Sequence, residues 1–264
     1  ETAPTSQPAQ PKAKPAEKAK VYDEAADAKQ QIAKALARAK KENRRVLVQW
    51  GANWCGWCHL LHEKFASDRD LSKELLYEYE LVLIDIGKWD KNMDLAEGYG
   101  ADLKKGVPYL TVMDANGKVL ANEETGQFET KPAEGQSAQD LKPGHDAAKV
   151  LAFLKKYEAT PLQADAVLQG AMDQAKASGK KVFLHFGAPW CVWCRRLDAW
   201  LERPDVAPVF AKDYVEVKID QDRMPGGKEI ESKFGMPESS GIPWFVIIDP
   251  ATGKGLADAT GPKG

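Results

Sequence analysis

The chain has 264 residues, 43% of them hydrophobic and 29% charged, with a formal net charge of -2. That length holds one large or two ordinary globular domains, and the charge balance supplies no basic field for nucleic acid. No apolar run approaches the ~20 residues that a membrane-crossing helix requires. Because the first residue is Glu1 rather than Met, a processed or trimmed form is expected, with any targeting peptide removed.

Residues 1–20 are rich in Pro, Ala and Lys, and cannot bury enough surface to offset their ordering entropy. They read as a disordered leader. From Tyr22 to Glu42 the apolar residues Ala26, Ile32, Leu36 and Ala39 fall near helical spacing, which predicts an amphipathic helix ended at Asn43. Val46–Trp50 reads as a strand, His59–Phe65 as a helix, and Asp70–Tyr77 as a second helix capped by Ser67-Asp68. Leu81–Ile86 reads as a buried strand and Asp90–Tyr99 as a helix closed at Gly100. Two further strands, Val107–Met113 and Lys118–Leu120, flank Asn116-Gly117, a strong hairpin signal. Glu129–Gly144 reads as a polar surface loop and Asp146–Tyr157 as a closing helix.

The same plan then starts again. A helix over Leu162–Ala177 ends at Gly179, a strand covers Val182–Phe186, and helices follow to about Leu201 and near Asp205–Lys212. Val215–Asp220 is a strand, Gly227–Phe234 a helix, and Ile242–Ile248 with Gly255–Ala257 a second hairpin. This gives two tandem α/β domains, 21–158 and 159–264. Nothing in the second copy matches the closing helix, so an exposed apolar face is expected there unless something packs on it.

All four cysteines lie in two Cys-x-x-Cys pairs. These are Trp54-Cys55-Gly56-Trp57-Cys58 and Trp190-Cys191-Val192-Trp193-Cys194, whose first cysteines are 136 positions apart. Each pair follows an apolar strand and opens a helix, where unpaired N–H groups and the helix dipole favour a thiolate. A disulfide-stapled scaffold would scatter its cysteines between distant segments, so these sulfurs read as chemistry.

A strand, Trp-Cys-x-x-Cys opening a helix, and then Gly-Val-Pro or Gly-Ile-Pro before a strand resembles the thioredoxin fold (βαβαββα). The resemblance covers roughly residues 22–157 and, without the last helix, 161–264. It implies thiol–disulfide oxidoreductase activity of reductase or isomerase type, on protein thiols and disulfides, with no cofactor. Cys55 and Cys191 would be the attacking thiolates, and Cys58 and Cys194 the resolving ones. Pro108 and Pro243 match the family's cis-proline loop. Trp54 and Trp190 are candidates for touching a partner. Two positions depart from the pattern. Gln49 and His185 stand where thioredoxin has a buried acid that helps move the resolving thiol's proton, and His185 could act as a base near neutral pH. Trp57 and Trp193 replace the proline before the second cysteine. The leader and the resemblance favour an extracytoplasmic place, the bacterial periplasm, with a cytoplasmic enzyme as the alternative.

Rival readings keep the cysteines but change their use. Inert disulfides would make the chain a non-catalytic binding or chaperone module. Four thiolates could hold zinc, Cys58-His59 or His62 could handle copper, and Cys55-x-x-Cys58-His59 matches a haem-attachment string.

Overall fold

The computed structural model describes residues 20–132, 137 and 142–262. The expected leader lies outside the described residues apart from Lys20, and so does part of the Glu129–Gly144 loop.

Helix α1 spans Ala28–Glu42, later than the sequence suggests. Asp27 caps it by accepting from the Gln30 amide, and Asn43 ends it in the left-handed conformation with φ of 51°. Strand β1 (Arg45–Gly51) leads to α2 (Gly56–Ser67) and α3 (Arg69–Glu78). Asp68 separates these helices and caps α3 through the Asp70 and Leu71 amides. Then come β2 (Tyr79–Asp85), α4 (Met93–Gly98), β3 (Tyr109–Met113), β4 (Val119–Glu124) and α5 (Ala147–Lys155). Helix α4 is shorter than Asp90–Tyr99. Trp89 and Asn92 adopt positive φ of 67° and 56°, and the Asn92 side chain donates to the Asp85 carbonyl, so Asp90–Asn92 turn instead of coiling.

The second half repeats the plan as α6 (Ala164–Ser178), β5 (Lys181–Gly187), α7 (Val192–Leu201), α8 (Ala207–Asp213), β6 (Tyr214–Asp220), α9 (Gly227–Phe234), β7 (Trp244–Ile248) and β8 (Gly255–Asp258). A short β9 (Gly261–Pro262), not anticipated, makes this sheet five-stranded in the order β6-β5-β7-β8-β9, against β2-β1-β3-β4 in the first. In each sheet the Cys-bearing connection joins two parallel strands and the hairpin runs antiparallel.

Alternation along each strand sends one set of side chains to each face. Val46, Val48 and Trp50 pack under α1, while Leu47 and Leu110 pack with Leu61, Leu71 and Phe153 under α2, α3 and α5. The second half has no helix matching α5 among its described residues. Strand β3 is buried throughout, but in β7 Phe245 and Ile247 are only partly covered. Trp193, Trp200, Val209 and Leu256 are exposed in the same half. On the sheet itself the expected face is partly, not fully, open, at Phe245 and Ile247.

The halves meet through a charged seam. Arg223 donates to both carboxylate oxygens of Glu78 at 2.7 and 2.9 Å, and to the carbonyls of Glu42 and Asn43 at 2.9 and 3.0 Å. Those carbonyls lie at the end of α1, where helical partners run out and a cation is favoured. Asn43 donates to the Thr160 carbonyl, and Tyr77 donates to Asp222.

Candidate active site

Each Cys-x-x-Cys sits where a strand ends and a helix begins. Cys55 is the residue that caps α2, its Sγ 3.1 Å from the Cys58 amide, and Cys191 caps α7 in the same way at 3.0 Å from the Cys194 amide. Both pairs are disulfide-bonded with Cα atoms 5.3 Å apart. On reduction, the first sulfur would face the free amides of the helix's first turn, which favour a thiolate. Cys58 and Cys194 are each fully buried.

The proline loops lie against the sulfurs. Cys55 Sγ is 3.5 Å from the Val107 carbonyl oxygen and Cys191 Sγ 3.6 Å from that of Ile242. The peptide bonds Val107–Pro108 and Ile242–Pro243 are cis, as the resemblance implies.

The tryptophans form the rim. Trp54 is about half exposed, donates to the Gly87 carbonyl and meets Trp89 with ring centroids 5.8 Å apart. Trp190 is equally exposed and donates to Asp222 at 2.8 Å. Trp193 is exposed and stacks with Arg196, whereas Trp57 is half-buried edge-on to His145. His145 is buried with both ring nitrogens unpartnered, and burial pulls its pKa down to about 4.

Under the first pair lies an uncharged contact. Gln49 is fully buried and donates to the Tyr22 hydroxyl at 2.6 Å and, more weakly, to the Cys58 carbonyl at 3.3 Å. A Cβ at Gly51 would collide with the Tyr22 hydroxyl and with Cys58 Sγ, so only glycine lets these two groups approach. Burial pushes the Tyr22 phenol well above its usual range. Sequence reading placed Tyr22 at a helix start and missed it, because only the fold brings it here. The Asn53 side chain, accepting from the Val21 and Tyr22 amides at 2.9 Å, holds it in place.

Under the second pair the floor is built of acidic and basic side chains. His185 is fully buried with Nε2 3.1 Å from Glu216, and Lys218 lies 2.7 Å from Asp198. Burial alone would raise the Glu216 carboxyl, but the His185 hydrogen bond and the Lys41 and Lys218 charges outweigh it and lower its pKa. Sequence reading singled out His185 but passed over Asp198 and Lys218. Val215–Ile219 alternates like a half-exposed strand, and nothing local shows that its polar face is covered.

His185, Asp198 and Glu216 offer ligand atoms within 4.8 Å of one another, the one such trio among the described residues. Lys218 on Asp198 and Lys41, 3.7 Å from Glu216, already supply the cations, so this trio fits a metal poorly. His59 points its Nε2 at the Asn53 carbonyl, 2.8 Å away, and burial next to His59 lowers the His62 pKa.

The thioredoxin-like family profile matches residues 27–115 and again 163–250, together well over half of the chain. The chain belongs to the thioredoxin-like family. The chain, with its two thioredoxin-like domains, is similar to protein disulfide-isomerase erp38 of Neurospora crassa, with 26% identity over 207 residues, covering 77% of this chain and 50% of that protein. Protein disulfide-isomerase 1 of Dictyostelium discoideum is 23% identical over 211 residues, covering 77% and 52%. The chain therefore spans about half the length of the curated relatives it matches. A crystal structure of disulphide isomerase from Xylella fastidiosa Temecula1 is 30% identical, covers 52% of this chain and 95% of its own, and superposes with a TM-score of 0.42. No helix among the described residues is long and apolar enough to cross a membrane.

Proposed function

We propose that the protein is a thiol–disulfide oxidoreductase acting on protein thiols and disulfides through two sites. They are carried by domains bounded at 21–158 and 159–264. The observation that carries this reading is the twice-repeated placement of a cysteine disulfide at a helix N-terminus beneath an exposed tryptophan. A structural staple needs neither an exposed rim nor a helix end.

In each site the first cysteine, Cys55 or Cys191, attacks a partner's disulfide as the thiolate and forms a mixed disulfide. The second, Cys58 or Cys194, then displaces the partner. Trp54 and Trp190 give the partner apolar surface, and the backbone before Pro108 and Pro243 lies beside the sulfurs to receive an extended segment. Trp57 and Trp193 flank the resolving sulfurs. Gln49 and His185 set the two floors apart. The Pro/Ala/Lys leader and the thioredoxin-like resemblance support an extracytoplasmic place, a bacterial periplasm, and a cytoplasmic enzyme is the alternative.

The test is turnover. With dithiothreitol as reductant, the full chain should speed reduction of insulin disulfides or recovery of scrambled ribonuclease. Cys55→Ala and Cys191→Ala should each remove one site's share, and the double variant all of it. A double variant as active as the parent would refute the reading, as would a parent no faster than dithiothreitol alone.

A further inference from the structure

The two domains carry different residues beneath their resolving sulfurs. Strand pairing matches Gly51 with Asp85 and Gly187 with Asp220, so the first domain's Gln49, Leu81 and Leu83 occupy the places of His185, Glu216 and Lys218. On the Cys helix, Asp198 stands where the first domain has His62. A floor without carboxylates or lysine is thus available to this fold, yet the second domain places Asp198, Glu216 and Lys218 there. A buried ion is costly unless close pairing offsets its lost hydration.

The pairing is incomplete on one side. Lys218 Nζ bonds Asp198 Oδ2 at 2.7 Å and both carboxylate oxygens of Glu42 at 3.1 and 3.2 Å. Lys41 bonds Glu202 at 2.8 Å and lies 3.7 Å from Glu216. Asp198 Oδ1 and His185 Nδ1 remain buried without a partner. Glu42 and Lys41 belong to α1, so the first domain completes the second domain's cluster.

The cluster reaches the sulfur from two directions. Cys194 and Asp198 are four residues apart on α7, on one face and one turn from each other. A Cβ on Gly187 would meet Lys218 Cε at 3.1 Å and Cys194 Sγ at 3.6 Å, so the lysine stem and the sulfur face each other across a bare glycine. Cys194 is sealed from solvent and must lose a proton before it can attack.

We propose that Asp198, bonded by a Lys218 that Glu42 of the first domain also holds, accepts the proton of Cys194 when the second site resolves its mixed disulfide. This rests on the thiol–disulfide exchange reading above. The Cys194 thiol gives its proton to the Asp198 carboxylate, and the thiolate attacks Cys191 Sγ. The Cys191–Cys194 bond forms as the bond to the partner's sulfur breaks. The partner leaves as a thiolate and takes up one proton, so a mixed disulfide and a thiol become an internal disulfide and a free thiol. His185 and Glu216 from the sheet, Lys41 and Glu42 from α1, and Glu202 from the end of α7 are the other titratable groups facing the relay.

The test uses the full chain carrying Cys55→Ser and Cys58→Ser, reduced and mixed with 5,5′-dithiobis(2-nitrobenzoic acid). The first thionitrobenzoate released reports attack by Cys191, and the second reports closure by Cys194. Asp198→Asn should slow the second release at least about tenfold at pH 7 and move its pH profile upward. The first release should stay within about twofold, and Asp198→Glu should restore most of the lost rate. Glu42→Gln, in the other domain, should slow the second release in the same direction by a smaller factor. The relay is overturned if Asp198→Asn keeps the second release within about twofold of the parent from pH 6 to 8.5. It is also overturned if both releases slow together, which marks general damage. A parent that releases no second equivalent would sink the exchange reading itself along with the relay.

Discussion

At the residue scale, the two sites differ in what lies beneath a shared surface. The four cysteines and two prolines were legible in the sequence, because their spacing repeats. So was the contrast between Gln49 and His185. Tyr22 was not legible, since its role depends on Asn53 anchoring a segment that looks like a helix start. It gives the first site a neutral floor and satisfies a buried amide. Tyr22→Phe leaves Gln49 Nε2 with only its 3.3 Å bond to the Cys58 carbonyl. The expected loss is about 1–3 kcal/mol of stability, read as a lower urea midpoint. An unchanged midpoint would mean that the Tyr22–Gln49 bond contributes nothing net.

At the scale of elements, helix α3 joins the core to the linker. Glu74 is buried on α3, and burial, followed by the charge of Glu158, raises its carboxyl from 4.5 to about 7. The folded state therefore binds this proton more tightly than the unfolded chain does. The stabilisation is complete below about 4.5 and is lost as pH rises through about 7. Glu74→Gln should raise the melting temperature relative to the parent at pH 8 and much less at pH 5. A difference that does not change with pH would contradict this environment for Glu74. Element reading from sequence succeeded where period and caps agree, as at Asn43, Asp68 and Gly179. It failed at Asp90–Asn92, where positive φ at Trp89 and Asn92 makes a turn that a helical count cannot reveal.

For the whole molecule, the repeat was legible and the seam was not. Arg223, Lys218 and Lys41 carry no signal of it in the sequence, because the partners they hold across the seam lie 145, 176 and 161 positions away. That seam makes the second floor a product of both domains. It sets a cluster of acidic and basic side chains under Cys194 against a neutral one under Cys58, on helix ends that are otherwise alike. The central claim, two reactive thiolates at two helix N-termini, is tested most directly by alkylating the reduced full chain with iodoacetamide across pH. Mass spectrometry of the Cys55 and Cys191 peptides then reads each thiol separately. The account predicts half-maximal reactivity for both well below the free-thiol value of about 8.5. Titration of both at or above that value would contradict it.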